Sequence, residues 1–383
     1  MNTVKLYDSD SMLFKFSATV LFCELNNNVY KVVLNETAFF PEGGGQTSDT
    51  GKIGNASVID VQIENSVIYH YCDKPLTVGN CYECQINEEE RFDKMQNHSG
   101  EHIVSGIINR LYGLQNVGFH LSKNEVTLDF NGILTREQIN KAEELANEAV
   151  HKNVPITACY PTPEELKNID YRSKLELSEN VRIVTITGYD RCACCAPHVK
   201  SSGEIGIIKL LNTEKMRGGT RIFMKCGMRA VKDYEEKYQS VAEISALTCV
   251  KQDEVASGVK RLIDENNTLK YEITLLKRKY LEGITQNINS PDKSIAILVE
   301  NTDINNMRFI ANNLVERTKT FGIFSENANG CDFVIASKQC DMRMLLNDIK
   351  NQYEIKGGGN EKMIQGTVFT DFANIKTFFD KIN

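Results

Sequence analysis

No apolar run in this chain of 383 residues approaches the roughly 20 residues needed to span a bilayer. The opening stretch, MNTVKLYDSDSMLFKF, lacks the long apolar core of a secretory signal. These two absences point to a cytoplasmic protein with no membrane partner. In that compartment the twelve cysteines read as reduced thiols or metal ligands, not as a disulfide framework. Excess basic charge is missing too. The net charge of −7 disfavours indiscriminate nucleic-acid binding, while still allowing a local basic groove. Histidine is scarce, at six. What remains is an ordinary globular composition, 41% hydrophobic and 25% charged, on a chain long enough for two or three domains.

That scarcity makes the placing of the histidines informative. Three of the six fall in two short segments, His98 and His102 in HSGEH, and His198 behind Cys194 in CCAPH. Two imidazoles four residues apart lie on one face of a helical turn and can grip one ion. A thiolate and a third imidazole complete a Cys/His set that suits zinc. Pro197 makes a regular helix unsuitable for the second pair, so a strand-end turn is expected there. Satisfied core histidines and buried thiols are the competing reading, and for a lone histidine it would prevail. Two pairs at ligand spacing favour the metal. Cys195 rivals Cys194 as the thiolate. Glu101 does not reproduce the zinc-protease helix, because it stands beside the second histidine and not the first. Cys81 and Cys84 form a C-x-x-C on a strand-like segment, which points them to opposite faces.

Upstream lies Phe39-Phe40-Pro41-Glu42-Gly43-Gly44-Gly45-Gln46. Three glycines let a ligand approach the backbone, and free N–H groups there can receive phosphate or an oxyanion. Gln46 adds an amide that both donates and accepts. A tight β turn is the plain alternative.

Residues 1–90 look β-rich, with VYKVVLN at 29–35 and similar texture at 57–64 and 66–72. From Arg91 the pattern turns helical, with Met95, His98, His102, Ile103, Gly106 and Ile107 near one stripe. A second helix is expected over 135–152, and strands over 180–187 and 203–211. Between 235 and about 282 the positions Val255, Val259, Leu262, Asn266, Leu269, Ile273, Leu276 and Tyr280 alternate spacings of four and three. That is a heptad seam with a polar a position at Asn266, which predicts a homodimer. A helix packed on its own chain is the alternative. After the break at Asn289-Ser290-Pro291 come strand 294–299, helix 305–320, strand 332–336, helix 342–353, a loop at Gly357-Gly358-Gly359 and a last helix to about 382.

Taken in order, T-x-F-F-P-E-G-G-G-Q, H-x-x-x-H and C-x-x-x-H-V resemble the editing domain of alanyl-tRNA synthetase. They look most like its free-standing relatives, the long type of the alanyl-tRNA editing (AlaX) family. Ser202-Gly203-Glu204-Ile205-Gly206 and Arg217-Gly218-Gly219-Thr220-Arg221-Ile222 extend the match, and the long helix and the tail KGGGNEKMIQG resemble the family's coiled segment and DHH-associated C-terminal domain. The resemblance covers nearly the whole chain. It implies an α+β protein with a β-barrel-like domain (1–90), a zinc editing domain (91–230), a coiled-coil helix (231–288) and a small α/β C-terminal domain (289–383).

It further implies hydrolysis of mischarged seryl-tRNA for alanine, with glycyl-tRNA as a second substrate, and a tRNA partner. Zinc would sit on His98, His102, Cys194 and His198. Thr37 would read the serine hydroxyl. Gln46 and Gly43 to Gly45 would face the terminal adenosine and the ester, and Arg221 would bind substrate. Starting directly at the editing-like region, the chain is expected to act in trans. One departure stands out. The synthetase form carries Gly-Gly-Thr between Cys and His, whereas Cys195-Ala196-Pro197 stand here, without that threonine hydroxyl or the proline's N–H. A non-catalytic, zinc-stabilised tRNA-binding dimer is the alternative from another class, and a zinc hydrolase of some other small ester or amide is a third. The Thr37–Gln46 motif separates them, since a purely structural zinc module needs no such loop.

Overall fold

The computed structural model describes residues 3–123, 125–173, 181–300 and 302–382. It divides into two compact units, Met1–Ser240 and Val241–Asn383.

The first unit begins with a closed six-stranded barrel. Its strands, in spatial order, are Lys15–Asn26, Val29–Leu34, Val67–Cys72, Ala56–Glu64, Gly51–Ile53 and Cys81–Ile86. Two of its hairpins turn through only two residues. Asn27-Asn28 (φ 47° and 69°) and Asn65-Ser66 (φ 50° and 66°) adopt the left-handed conformations that match the twist of the flanking strands. Alternation then sends Val32, Leu34, Val58, Val61, Ile68 and Ile86 into a closed core. On the last strand Cys81 is exposed and Cys84 buried, the opposite-face arrangement that strand geometry requires.

Next comes the helix Glu88–Tyr112. Asn87 caps it by accepting from the Glu90 N–H, three glutamates occupy its first turn, and Gly113 ends it at φ 69°. The sequence suggests one inward stripe. The structure instead buries the helix on every side from Met95 to Ile108. It packs against the helix Arg136–Lys152 and against a four-stranded antiparallel sheet in the order Ile208–Met216, Gly219–Cys226, Val126–Phe130, Asn116–Leu121. It also meets the strand Asp190–Ala193 of a three-stranded sheet formed with Ile156–Cys159 and Ile183–Ile186. Gly106 permits that last approach, because a Cβ there would lie 2.4 Å from the Tyr189 carbonyl oxygen. The strand expected over 180–187 thus runs Ile183–Ile186, and Asn180 lies outside the described residues. The helix Arg136–Lys152 opens on a capping box between Thr135 and Gln138.

The second unit holds a five-stranded sheet in the order Ser290–Leu298, Thr318–Asn327, Gly330–Ala336, Met363–Val368, Ile355–Gly359. Only the first pair is parallel. Helices Ile304–Leu314, Met342–Lys350 and Phe372–Lys381 cover it, with an apolar core on each face. Two expectations need correcting. The helix expected over 305–320 stops at Leu314, and Thr318–Asn327 forms a strand whose residues Phe321, Ile323 and Phe324 fill both cores. Gly357 to Gly359 form no loop. They are the edge strand, paired through Gly357–Gly366 and Gly359–Ile364, and exposed where side chains are not needed.

The helical stretch expected over 235–282 is also divided. Gly227–Thr248 ends at Cys249 (φ 53°), and Val255–Thr285 follows a short 3-10 turn. Only Gly258, Leu281 and Thr285 are buried on the second helix. Leu262, Leu269, Ile273, Leu276 and Tyr280 of the heptad seam are exposed.

Candidate metal centre

His98 and His102 face the same way one turn apart on the buried helix. The end of the strand Asp190–Ala193 and the turn after it deliver Cys194 and His198 to the same point. Cys194 Sγ lies 3.6 Å from His98 Nε2 and 3.4 Å from His198 Nε2. All four donor atoms fall within 4.8 Å of one another. Tetrahedral zinc with bonds of about 2.0–2.3 Å sets its ligands about 3.3–3.8 Å apart, a range that holds the two Cys194–histidine spacings. The three histidines are almost wholly buried.

The other nitrogen of each ring is held. His98 Nδ1 meets Gln46 Oε1 at 2.9 Å, His102 Nδ1 meets Asp190 Oδ2 at 3.0 Å, and His198 Nδ1 meets Ser99 Oγ at 3.0 Å. Fixing Nδ1 in each ring frees the three Nε2 atoms for the cation. Arg172 grips Asp190 with two bonds of 2.7 Å, which fixes the carboxylate that fixes His102. Burial alone would raise the Cys194 thiol. The imidazoles of His98, His198 and His102 outweigh it and hold the thiol well below its usual range. Burial pushes the His198 imidazole down to about 3, against the pull of Cys194. At His102 burial is outweighed by the hydrogen bonds to Asp190 and Cys194, which hold that imidazole well above its usual range, so a zinc ion would have to displace its proton to meet a thiolate and neutral imidazoles.

Of the two rival thiols, Cys194 joins the cluster. Cys195 is exposed and lies outside the cluster. Cys192 stands beside His102 and Asp190, with its thiol raised to about 11 by burial. Arg182 clamps the Cys194–His198 turn by donating to the carbonyls of Cys194 (3.1 Å) and Ala196 (2.8 Å).

The glycine loop lies over this cluster. Gly43 and Gln46 exchange backbone hydrogen bonds of 3.1 and 3.0 Å, so those two N–H groups are consumed by the turn and cannot receive an anion. Gly44 (φ 61°) forms the exposed crest, where a Cβ would stand 4.0 Å from His98 Cε1 and 3.9 Å from Cys195 Sγ. Gly45 (φ 84°) passes so close to Phe119 that a Cβ would meet its carbonyl oxygen at 2.3 Å. Gln46 is buried. Its Oε1 serves His98, and its Nε2 has no partner among the described residues, a costly arrangement unless something else supplies an acceptor. A buried ionic platform holds the loop down. Arg91 donates from Nε to Asp49 at 3.0 and 2.9 Å and from its guanidinium to the Ala38 carbonyl, Asp49 accepts the Phe40 N–H at 2.6 Å, and Lys94 donates to the Ser48 carbonyl.

Thr37 and Arg221 stand apart from the four ligands. Thr37 is fully buried, and its Oγ1 lies 2.8 Å from His70 Nε2 and accepts the Phe39 N–H at 3.1 Å. Its neighbours Ala38, Phe39 and Phe40 share a core with Ala196, on which Cys194 packs. Arg221 forms a two-pronged pair with Asp129, with both contacts at 2.7 Å. Register places Arg221, Asp129 and Gly118 on one face of the sheet and Ile222, Leu128 and Phe119 on the other. Phe119 is the residue whose ring lies tilted against that of His98, with centroids 4.7 Å apart. Arg221 therefore projects from the face away from the His/Cys cluster. Sequence reasoning missed Asp190, Ser99, Arg172, Arg91 and His70. Only His70, set in the run VIYHYC, stands out as a polar residue in an apolar segment. Glu101 is buried and hydrogen-bonded by Ser105 and Asn116, both at 2.6 Å.

Comparison with known proteins meets this geometry. Residues 181–222 match the family described as the threonyl and alanyl tRNA synthetase second additional domain, and residues 11–90 match class II (A) tRNA synthetases. The alanyl-tRNA editing protein Aarsd1 of Mus musculus is 27% identical, over 94% of this chain and 93% of its own length. The alanyl-tRNA editing protein AlaX-L of Pyrococcus horikoshii is 26% identical, over 95% of this chain and 94% of its own. An alanine–tRNA ligase of Methanococcus maripaludis is 26% identical over 95% of this chain, which spans 42% of the ligase. The matched segments carry the barrel, the glycine loop, Cys194 and His198, and over most of its length the chain is a homologue of the alanyl-tRNA editing proteins.

Proposed function

We propose that this protein is a zinc-dependent aminoacyl-tRNA deacylase acting in trans. Its substrate would be tRNA for alanine that carries serine, with glycine as the second wrong amino acid. One observation carries the reading. Three imidazoles with their Nδ1 atoms tied back converge with a thiolate directly under a side-chain-free turn, beside a buried amide N–H₂ that lacks an acceptor. Such a turn admits the bulky terminal adenosine, and the amide awaits an oxygen.

The chemistry suits the need. A pocket shaped for alanine cannot strongly reject serine or glycine, so a second site must hydrolyse the error. His98, His102, Cys194 and His198 would hold the zinc, which when bound supplies a positive centre for orienting the aminoacyl group and polarising its carbonyl. Four protein ligands already complete a tetrahedron, which favours positioning over a zinc-held hydroxide. Gln46 Nε2 then donates to the ester carbonyl as negative charge develops on it. Gly44 leaves room for the ribose over His98. Thr37 offers its hydroxyl oxygen to the serine side chain. Water adds to the ester carbonyl, the acyl bond to the ribose oxygen breaks, and the water's proton reaches that leaving oxygen through the neighbouring ribose hydroxyl or a second water. Arg221, on the opposite sheet face, is a substrate contact only if the tRNA also reaches that face.

The exposed seam on Val255–Thr285 supports a homodimer, with Asn266 setting register. No helix among the described residues is long and apolar enough to cross a membrane. The deciding experiment mixes purified protein with seryl-tRNA for alanine, using alanyl-tRNA as control. Rapid release of serine with little release of alanine is expected. Serine release no faster than in buffer would overturn the proposal and favour a tRNA-binding role without catalysis.

A further inference from the structure

His70 is a buried titratable group that the reaction above does not use. It lies on the barrel strand Val67–Cys72 with no exposed surface, and its ring stands edge-on to Phe39, 5.5 Å away. Its two nitrogens have different partners. Nδ1 faces the Val32 carbonyl oxygen at 3.3 Å, and Nε2 faces Thr37 Oγ1 at 2.8 Å.

Those partners decide the tautomer. A carbonyl oxygen can only accept, so Nδ1 must carry the hydrogen. Burial pushes the imidazole down to about 4, so the ring holds a single proton near neutral pH and Nε2 is a bare acceptor. The Thr37 hydroxyl must therefore donate to Nε2. Its oxygen already accepts the Phe39 N–H at 3.1 Å. One lone pair remains; Thr37 has no exposed surface, so a substrate reaches it only when the side chains over it move aside, and the only group it can then receive is another donor. A serine hydroxyl is such a donor, whereas a methyl group or a hydrogen atom is not.

We propose that His70 is a positioning residue that sets serine selectivity, by holding the Thr37 hydroxyl as a one-way acceptor. Without His70 the Thr37 proton is free to rotate, and the hydroxyl reads donors and acceptors alike. This inference rests on the deacylase reading and on Thr37 as the hydroxyl reader.

The test measures kcat/KM for seryl-tRNA and glycyl-tRNA in wild type, Thr37→Val, His70→Phe and His70→Gln. Thr37→Val should lower the serine-to-glycine ratio roughly tenfold, about the worth of one neutral hydrogen bond. His70→Phe should lower it by a similar factor while zinc content stays at the wild-type level. His70→Gln should restore much of the ratio, because its Oε1 can replace Nε2 as acceptor. On the wild-type protein, nitrogen NMR of His70 should show Nδ1 protonated and Nε2 bare, a readout independent of how any variant folds. If wild type releases no serine, the deacylase reading fails. If Thr37→Val keeps the ratio, the hydroxyl-reader assignment fails and this inference with it. If Thr37→Val loses the ratio but folded His70→Phe keeps it, or if Nε2 proves protonated, the role of His70 is overturned.

Discussion

The helices Glu88–Tyr112 and Val255–Thr285 arrange polarity in opposite senses. The first buries Arg91, Lys94, Asn97, His98, Ser99, Glu101, His102 and Ser105. The second exposes Leu262, Leu269, Ile273, Leu276 and Tyr280. Each contradicts the simple rule that apolar residues go inside, and the contradictions have different causes. On the first helix every buried polar group has been given a partner from elsewhere in the unit, such as Asp49 for Arg91 and Asp190 for His102. Burying a charge is tolerable only under that condition. On the second helix an apolar stripe at heptad spacing has no covering element among the described residues. Large unpaired stripes of that kind mark surfaces meant for a partner. Polar inside thus points to chemistry, and apolar outside to association.

Breaking the first helix's chemistry should give the largest effect. His102→Ala removes one of the four proposed zinc donors and should abolish zinc binding and lower seryl-tRNA hydrolysis by more than about a hundredfold, beyond what loss of an outer partner costs. Metal analysis beside the deacylation assay checks it, and full activity without metal would refute the ligand assignment. Next comes the buried ion pair. Arg91→Met leaves Asp49 charged and buried, and should cost about 3–5 kcal/mol of stability in denaturant titration. A loss below about 1 kcal/mol would mean that the platform under the glycine loop is solvated after all.

For the second helix, paired substitution of Leu269→Lys and Ile273→Lys puts charge into the seam. Light scattering should then report the 43.2 kDa monomer where wild type reports twice that mass. A wild-type monomer would end the dimer proposal. The smallest effect belongs to Arg261, whose pair with Glu265 at 3.7 Å is more than half exposed on both sides. Arg261→Ala should change stability by less than about 0.5 kcal/mol, so that two arginine–carboxylate pairs on two helices differ many-fold through burial alone.

Local chemistry explains which parts were legible in advance. The barrel strands announce themselves through the texture of 29–35, 57–64 and 66–72, the helix over 135–152 through its inward apolar positions, and the candidate donors through H-x-x-x-H and C-x-x-x-H. The strand Thr318–Asn327 was hidden because neither glycine nor proline marks the end of the preceding helix at Leu314. Gly357 to Gly359 misled in the other direction, since glycine signals a turn unless an edge strand has no side-chain contacts to lose. Gln46 and His98 lie 52 positions apart, and His102 and Asp190 lie 88 apart. No spacing rule reaches across such separations.

The sequence by itself determined the three candidate histidines and the helical spacing of two of them, the glycine run, and the seam on the long helix. These are properties of neighbours along a chain, set by backbone periodicity and residue chemistry. Only the tertiary structure decided that Cys194 and not Cys195 meets the histidines, that Arg221 projects from the far sheet face, and that His70 Nε2 faces the Thr37 hydroxyl. Those outcomes depend on which distant atoms face each other once barrel, helix and sheet close around one another, and on the burial that leaves each polar atom with a single available partner.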